Sequence, residues 1–132
     1  MEKKPINPWQ WQENFGYSQA VEVSGAQQIL YCAGQTSMSA EGSPLHKDDM
    51  RGQIQIALNN LEEVLKNGGY NWSNVVRLNI FTTNVDGFLA EYGEVMMTRL
   101  APSGNKPSMT LLGVTRLAFP ELLVEIEATA VK

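Results

Sequence analysis

A chain of 132 residues that is 43% hydrophobic, 18% charged and carries a formal net charge of −4 suits one globular domain whose core needs no disulfide or metal to hold it. The longest basic run is Lys3-Lys4, too little for a phosphate backbone, and no apolar stretch approaches the roughly 20 residues that span a bilayer. Nucleic acid and membrane are therefore not expected as partners. Met1–Ile6 lacks the apolar centre of a secretory signal, so the expected address is the cytoplasm.

The expected domain is residues 1–132, opening with an irregular arm over 1–14, where Pro5, Asn7, Pro8, Trp9 and Trp11 show no period. Tyr17–Val23 and Gln28–Ala33 are β-favouring runs around Ser24-Gly-Ala-Gln27, a spacing that suits a hairpin. Residues 34–49 read as a long surface loop with room for one short strand. From Asp49 to Asn67 the apolar residues Ile54, Ala57, Leu58, Leu61, Val64 and Leu65 recur at three and four before Gly68-Gly69, which predicts an amphipathic helix and its stop. Val75–Thr83 alternates as a strand. Asp86–Leu100 predicts a second helix, with Phe88, Tyr92, Val95, Met96 and Leu100 on one stripe and Asp86 in the first turn to favour the dipole. Two strands close the chain, Met109–Thr115 and Leu122–Val131.

This order predicts an α+β fold with a single sheet and both helices on one face. In the last strand Leu122, Val124, Ile126, Ala128 and Ala130 alternate with Leu123, Glu125, Glu127, Thr129 and Val131. Each row carries too much apolar surface to stand in water, so a homo-oligomer is expected to cover the face turned away from the helices.

Familiar catalytic and phosphate-binding motifs are missing. One histidine and one cysteine cannot build a zinc site of nitrogen and sulfur ligands, and no metal or cofactor is expected. Cys32, in the run Ile29–Ala33, is expected as a buried reduced thiol, and His46 as a solvated loop residue. Trp9, Trp11 and Trp72 would either stack on rings or pin the arm and loops to the body. Glu125 and Glu127 are the candidates for acid/base or water-orienting work; the structural alternative pairs them with Arg77, Arg116 or Lys106. Tyr17 and Ser18 offer hydroxyls, and Gly34 a backbone N–H that a ligand can approach without a Cβ in the way.

Together, Gly16-Tyr-Ser-Gln-Ala-Val21, Ala33-Gly34-Gln35, Gln53-x-x-x-Ala57-Leu58-x-Asn60-Leu61, Val75-Val-Arg-Leu78, Pro107-Ser-Met-Thr110 and Val124-Glu-Ile-Glu-Ala128 resemble the RidA/YjgF (reactive intermediate deaminase, Rid) family over nearly the whole chain. The resemblance implies a chorismate-mutase-like ββαβαββ fold, a homotrimer and small-metabolite clefts between subunits. Deaminating members hydrolyse enamines and imines to 2-keto acids and ammonia. Their arginine grips the substrate carboxylate in a two-pronged geometry suited to guanidinium, and Met109 aligns with it. The resemblance further implies a water-holding role for Glu125 and cleft positions for Tyr17, Ala33 and Gly34. Tyr92 and Leu111 fall where the family often has asparagine and cysteine, and Ser108 and Thr110 flank Met109. Arg116 alternates to the side opposite Met109. The expected function is metabolite binding without ordinary 2-imino acid deamination. The alternatives are deamination through another anchor, such as Ser108, Thr110 or backbone groups, and the endoribonuclease activity attached to some relatives.

Overall fold

The computed structural model describes residues 1–132. The strands are β1 (Glu2–Ile6), β2 (Ala20–Ser24), β3 (Ile29–Gln35), β4 (Val75–Thr82), β5 (Ser108–Gly113) and β6 (Val124–Val131). The helices are α1 (Met50–Asn67), α2 (Val85–Tyr92) and the short α3 (Thr98–Leu100), the last two joined by a wide π-turn over Gly93–Met97. The predicted second helix is thus present as one path with a widened turn.

Asp49 starts α1 by accepting a 2.9 Å hydrogen bond from the Gly52 N–H, which satisfies one of the otherwise orphaned first-turn donors. Ile54, Ala57, Leu58, Leu61 and Leu65 are fully buried against the sheet. Two polar residues on the same helix work as staples. The Gln53 amide donates to the carbonyls of His46 and Glu121 and accepts from the Leu123 N–H, while Asn60 donates to the carbonyls of Thr36 and Met38. These bonds hold the 36–49 loop and the approach to β6 on α1, which explains why a helix with a strict apolar face also carries a buried and a half-buried amide.

The main sheet has the order β3-β6-β4-β5, antiparallel except for the parallel β4–β5 pair. Leu78, Ile80, Ile126, Ala128 and Cys32 face the helices and join the core. Burial raises the pKa of the Cys32 thiol, in keeping with a packing role.

Two local expectations are corrected. Residues 1–14 are not irregular throughout: Glu2–Ile6 is a strand paired with β2, from Glu2↔Ser24 to Ile6↔Ala20, and Trp11–Phe15 forms a 3₁₀ turn. Pro5 hides the strand in the sequence, yet it costs little on an edge, where no ladder donor is required. The hairpin between β2 and β3 is not formed, because the Gln27 and Gln28 N–H groups donate to the Lys132 carbonyl and β3 pairs with β6 alone. The expected single sheet is accordingly a four-stranded sheet plus a β1–β2 ribbon. Ser18 ties the ribbon to the β5 edge through its N–H to the Pro107 carbonyl and its hydroxyl to the Lys106 carbonyl.

Candidate functional site

The register of the main sheet decides which candidate residues share a surface. Leu78 is level with Met109 and Ile80 with Leu111 in the parallel pair, while Ile80 is level with Ile126 across to β6. Met109 and Leu111 therefore face the helices. Phe81 is level with Glu125 and Asn79 with Glu127, so the glutamates face the other way, as do Ser108 and Thr110.

On the helix side, Met109, Leu111 and Ile80 form the floor of a cavity of about 250 Å³. Phe88, Leu89 and Tyr92 of α2 make one wall, and Trp11, Phe15 and Tyr17 make the opposite rim. None of the nine is a carboxylate, ammonium, guanidinium or imidazole. The Tyr92 hydroxyl donates to the Phe15 carbonyl at 2.5 Å and lies 3.5 Å from the Met109 sulfur. Its pKa is pushed up to about 12, first by burial and second by the charge of Tyr17, so the phenol ionises later than an ordinary tyrosine. Trp11 meets Tyr17 edge-on, with ring centroids 6.3 Å apart and planes at 73°. Phe88 and Tyr92 are tilted at 50°. Gly16 supplies the turn that delivers Tyr17 to this rim, with φ of +74°, a left-handed geometry that favours glycine.

On the outward face, β3 bulges between Cys32 and Gln35 against β6, a device often found beside sites because it re-aims the chain. At Gly34, in the bulge, the backbone lies close against a carboxylate. A Cβ built there would sit 2.0 Å from Glu125 Oε1 and 2.7 Å from its Cγ. Glu125 makes no hydrogen bond or ion pair within the chain, whereas Glu127 accepts from Asn79 at 2.9 Å. The alternative pairing of these glutamates with Arg77, Arg116 or Lys106 does not form; Arg77 donates instead to Thr110 Oγ1 at 3.2 Å. Ser108 is engaged with the Val76 carbonyl, and Ala33 is exposed beside the bulge.

The nine candidate residues therefore divide. Tyr17, Tyr92, Met109 and Leu111 come together in the cavity, while Glu125, Gly34, Ala33, Ser108 and Thr110 lie outside it on the reverse face. Arg116 is exposed beyond the end of β5 and does not line the cavity. Sequence reasoning places Ile80 and Phe88 only on apolar stripes and Trp11 only as a stacking or pinning residue, and it missed Phe15 and Leu89 altogether. The i, i+4 spacing of Trp11 and Phe15 was the available signal for the first; Leu89 lies one position past the core stripe and carried none. Trp72 is the loop pin that was one reading of the tryptophans: it is buried and its indole N–H donates to Glu62 at 2.6 Å.

The family model described as Endoribonuclease L-PSP matches residues 12–132. A RutC family protein of Aquifex aeolicus is 33% identical over 116 residues, covering 88% of each chain. A 2-iminobutanoate/2-iminopropanoate deaminase of Dermatophagoides farinae is 30% identical over 128 residues, covering 97% of this chain and 88% of its own. Among solved structures, the Rid-family protein YyfB of Yersinia pestis, described as of unknown function, superposes with a TM-score of 0.85 at 34% identity over the whole of both chains. With the motifs, the fold and these matches in agreement along nearly its full length, the chain belongs to the RidA/YjgF family.

Proposed function

We propose that the chain is a trimeric small-metabolite-binding protein with clefts between subunits, and that it does not perform ordinary 2-imino acid deamination. The observation that carries this reading is Met109 on the floor of a cavity with no charged lining residue. A carboxylate entering there would shed water and find no cation, an expensive exchange. Two features support the intersubunit cleft. The Met109 cavity and the Glu125–Gly34 pair lie on opposite faces of one sheet, so a cleft containing both needs a second copy. The outward face also carries Ile29, Tyr31 and Leu112, with Tyr31 75% exposed, a surface suited to burial between subunits. No helix is long and apolar enough to cross a membrane; a cytoplasmic address completes the reading, with cell fractionation as its check.

Calorimetric titration with 2-oxobutanoate tests the changed anchor. The natural chain should show no binding at millimolar ligand, and Met109→Arg should gain it. Tight binding by the natural chain would overturn the reading, and sedimentation of a monomer would overturn the trimer.

A second reading is an enamine or imine deaminase with a different substrate anchor. The unpartnered Glu125 carboxylate favours it, as do relatives named 2-iminobutanoate/2-iminopropanoate deaminase in Dermatophagoides farinae and Rattus norvegicus. Thr110 shares the glutamate's face and offers a hydroxyl. Release of keto acid from freshly generated 2-aminoacrylate, lost in Glu125→Gln, would establish this reading over the first. The acidic balance of the chain disfavours the endoribonuclease name carried by the family model; strongly salt-dependent RNA cleavage surviving purification would reverse that.

A further inference from the structure

We infer that the Met109 cavity selects a neutral compound built on an aromatic ring with one hydrogen-bonding substituent. This rests on the reading above that the cavity takes an uncharged ligand, and it goes further by naming the ligand's chemistry.

Size comes first. A dry cavity of roughly 150 Å³ accommodates benzene; at about 250 Å³ this one has room for a substituent or a second fused ring, and too little for a nucleotide. The character of the walls comes second. Trp11, Phe15, Tyr17, Phe88 and Tyr92 present ring faces and ring edges around one space, and the inclined pairs Trp11–Tyr17 and Phe88–Tyr92 leave edges and faces turned at different angles. A guest ring can therefore stack on one partner and meet another edge-on, the two arrangements that the aromatic quadrupole favours. The Met109 sulfur on the floor adds a polarisable contact that prefers aromatic guests. A saturated guest of equal size would gain burial alone.

The polar groups fix the substituent. The Tyr92 hydroxyl is committed to the Phe15 carbonyl, and as a neutral phenol it supplies no charge. Two hydrogen-bonding groups of the rim, the Tyr17 hydroxyl and the Trp11 indole N–H, make no bond within the chain, and of the two only the hydroxyl can accept as well as donate. The hydroxyl, able to donate and to accept, orients one hydroxyl, carbonyl or ring N–H of the guest. It does not compensate a carboxylate.

The test compares phenol, toluene, indole, cyclohexanol and benzoate against the full chain, following the Met109 methyl resonance by NMR with methionine methyl labelling. Met109→Leu assigns that signal among the six methionines. Phenol and indole should bind saturably and displace the signal by their ring currents, and cyclohexanol should bind at least tenfold more weakly than phenol. Tyr17→Phe should weaken phenol several-fold and leave toluene unchanged. Equal affinities for cyclohexanol and phenol would overturn the aromatic selection while leaving a neutral-ligand cavity. Benzoate binding as tightly as phenol would overturn both, as would no response to any of the neutral compounds. An unchanged phenol affinity in Tyr17→Phe would remove the assigned orienting role.

Discussion

The closeness of Gly34 to Glu125 makes a prediction whose sign, as well as size, depends on a single contact. In Gly34→Ala the new Cβ would lie 2.0 Å from Glu125 Oε1, 2.6 Å from Cδ and 2.7 Å from Cγ. The glutamate cannot relieve this by moving only its tip, because its Cγ is also too close. Overpacking of this kind costs about 1–3 kcal/mol. Gly34 is not among the residues of positive φ, so alanine pays no left-handed penalty and instead restricts the unfolded chain, worth about 0.4–1 kcal/mol in favour of folding. The net for Gly34→Ala runs from about zero to a destabilisation of about 2.6 kcal/mol. Removing the carboxylate first changes the result. Glu125→Ala breaks no hydrogen bond within the chain and should itself stay within about 0.5 kcal/mol. In that background Gly34→Ala should become stabilising. Urea midpoints for the four proteins, at one fixed protein concentration because assembly couples to stability, give the cycle. Thermal scans should agree: at about 2.1 cal/mol/K per residue, 132 residues convert the predicted loss into a drop of up to roughly 9 °C. The same effect of Gly34→Ala in both backgrounds would refute the contact, and stabilisation of the natural chain would show that the two groups do not touch.

Three further outcomes follow from particular side chains. Gln12 is fully buried with neither amide atom hydrogen-bonded, so Gln12→Met should hold or raise the unfolding free energy from urea titration, by up to about 2 kcal/mol. Asp49→Ala removes the α1 cap bond to Gly52 and should cost about 1 kcal/mol in urea unfolding, with Asp49→Ser recovering most of it. For Tyr92, the unfolded phenol ionises near about 10 while the folded one is held to about 12. Its protonated form is favoured in the fold, so the stabilisation is complete below pH about 10 and is lost as pH rises toward about 12. Tyr92→Phe should flatten that decline, and phenolate absorbance during an alkaline titration should show the late ionisation disappear.

What was legible in the sequence was local. The α1 boundaries could be read because Asp49, the three-and-four spacing and Gly68-Gly69 all act within one helix, and the alternation in β6 separated Ile126 from Glu125 correctly. Partner choice was not legible. Tyr17–Val23 and Gln28–Ala33 have the spacing of a hairpin, but capture of the turn by the Lys132 carbonyl is a contact with the far end of the chain. The same limit hid the division of the site. Alternation shows that Met109 and Thr110 face opposite ways and that Glu125 and Ile126 do, but only the register of β4 against both β5 and β6 shows that Met109 sides with Ile126. Phe15 and Leu89 escaped because the rim is assembled from segments more than 70 positions apart.

The placement of Met109 and Glu125 on opposite faces has a genetic consequence under the proposed assembly. A lesion in the apolar cavity and a lesion at the glutamate would damage different halves of each cleft. Two defective alleles could then complement one another in a mixed oligomer, since a cleft that draws its cavity from one parent and its carboxylate from the other is intact. A single allele carrying both lesions would have no such remedy, and its product would poison every cleft it entered.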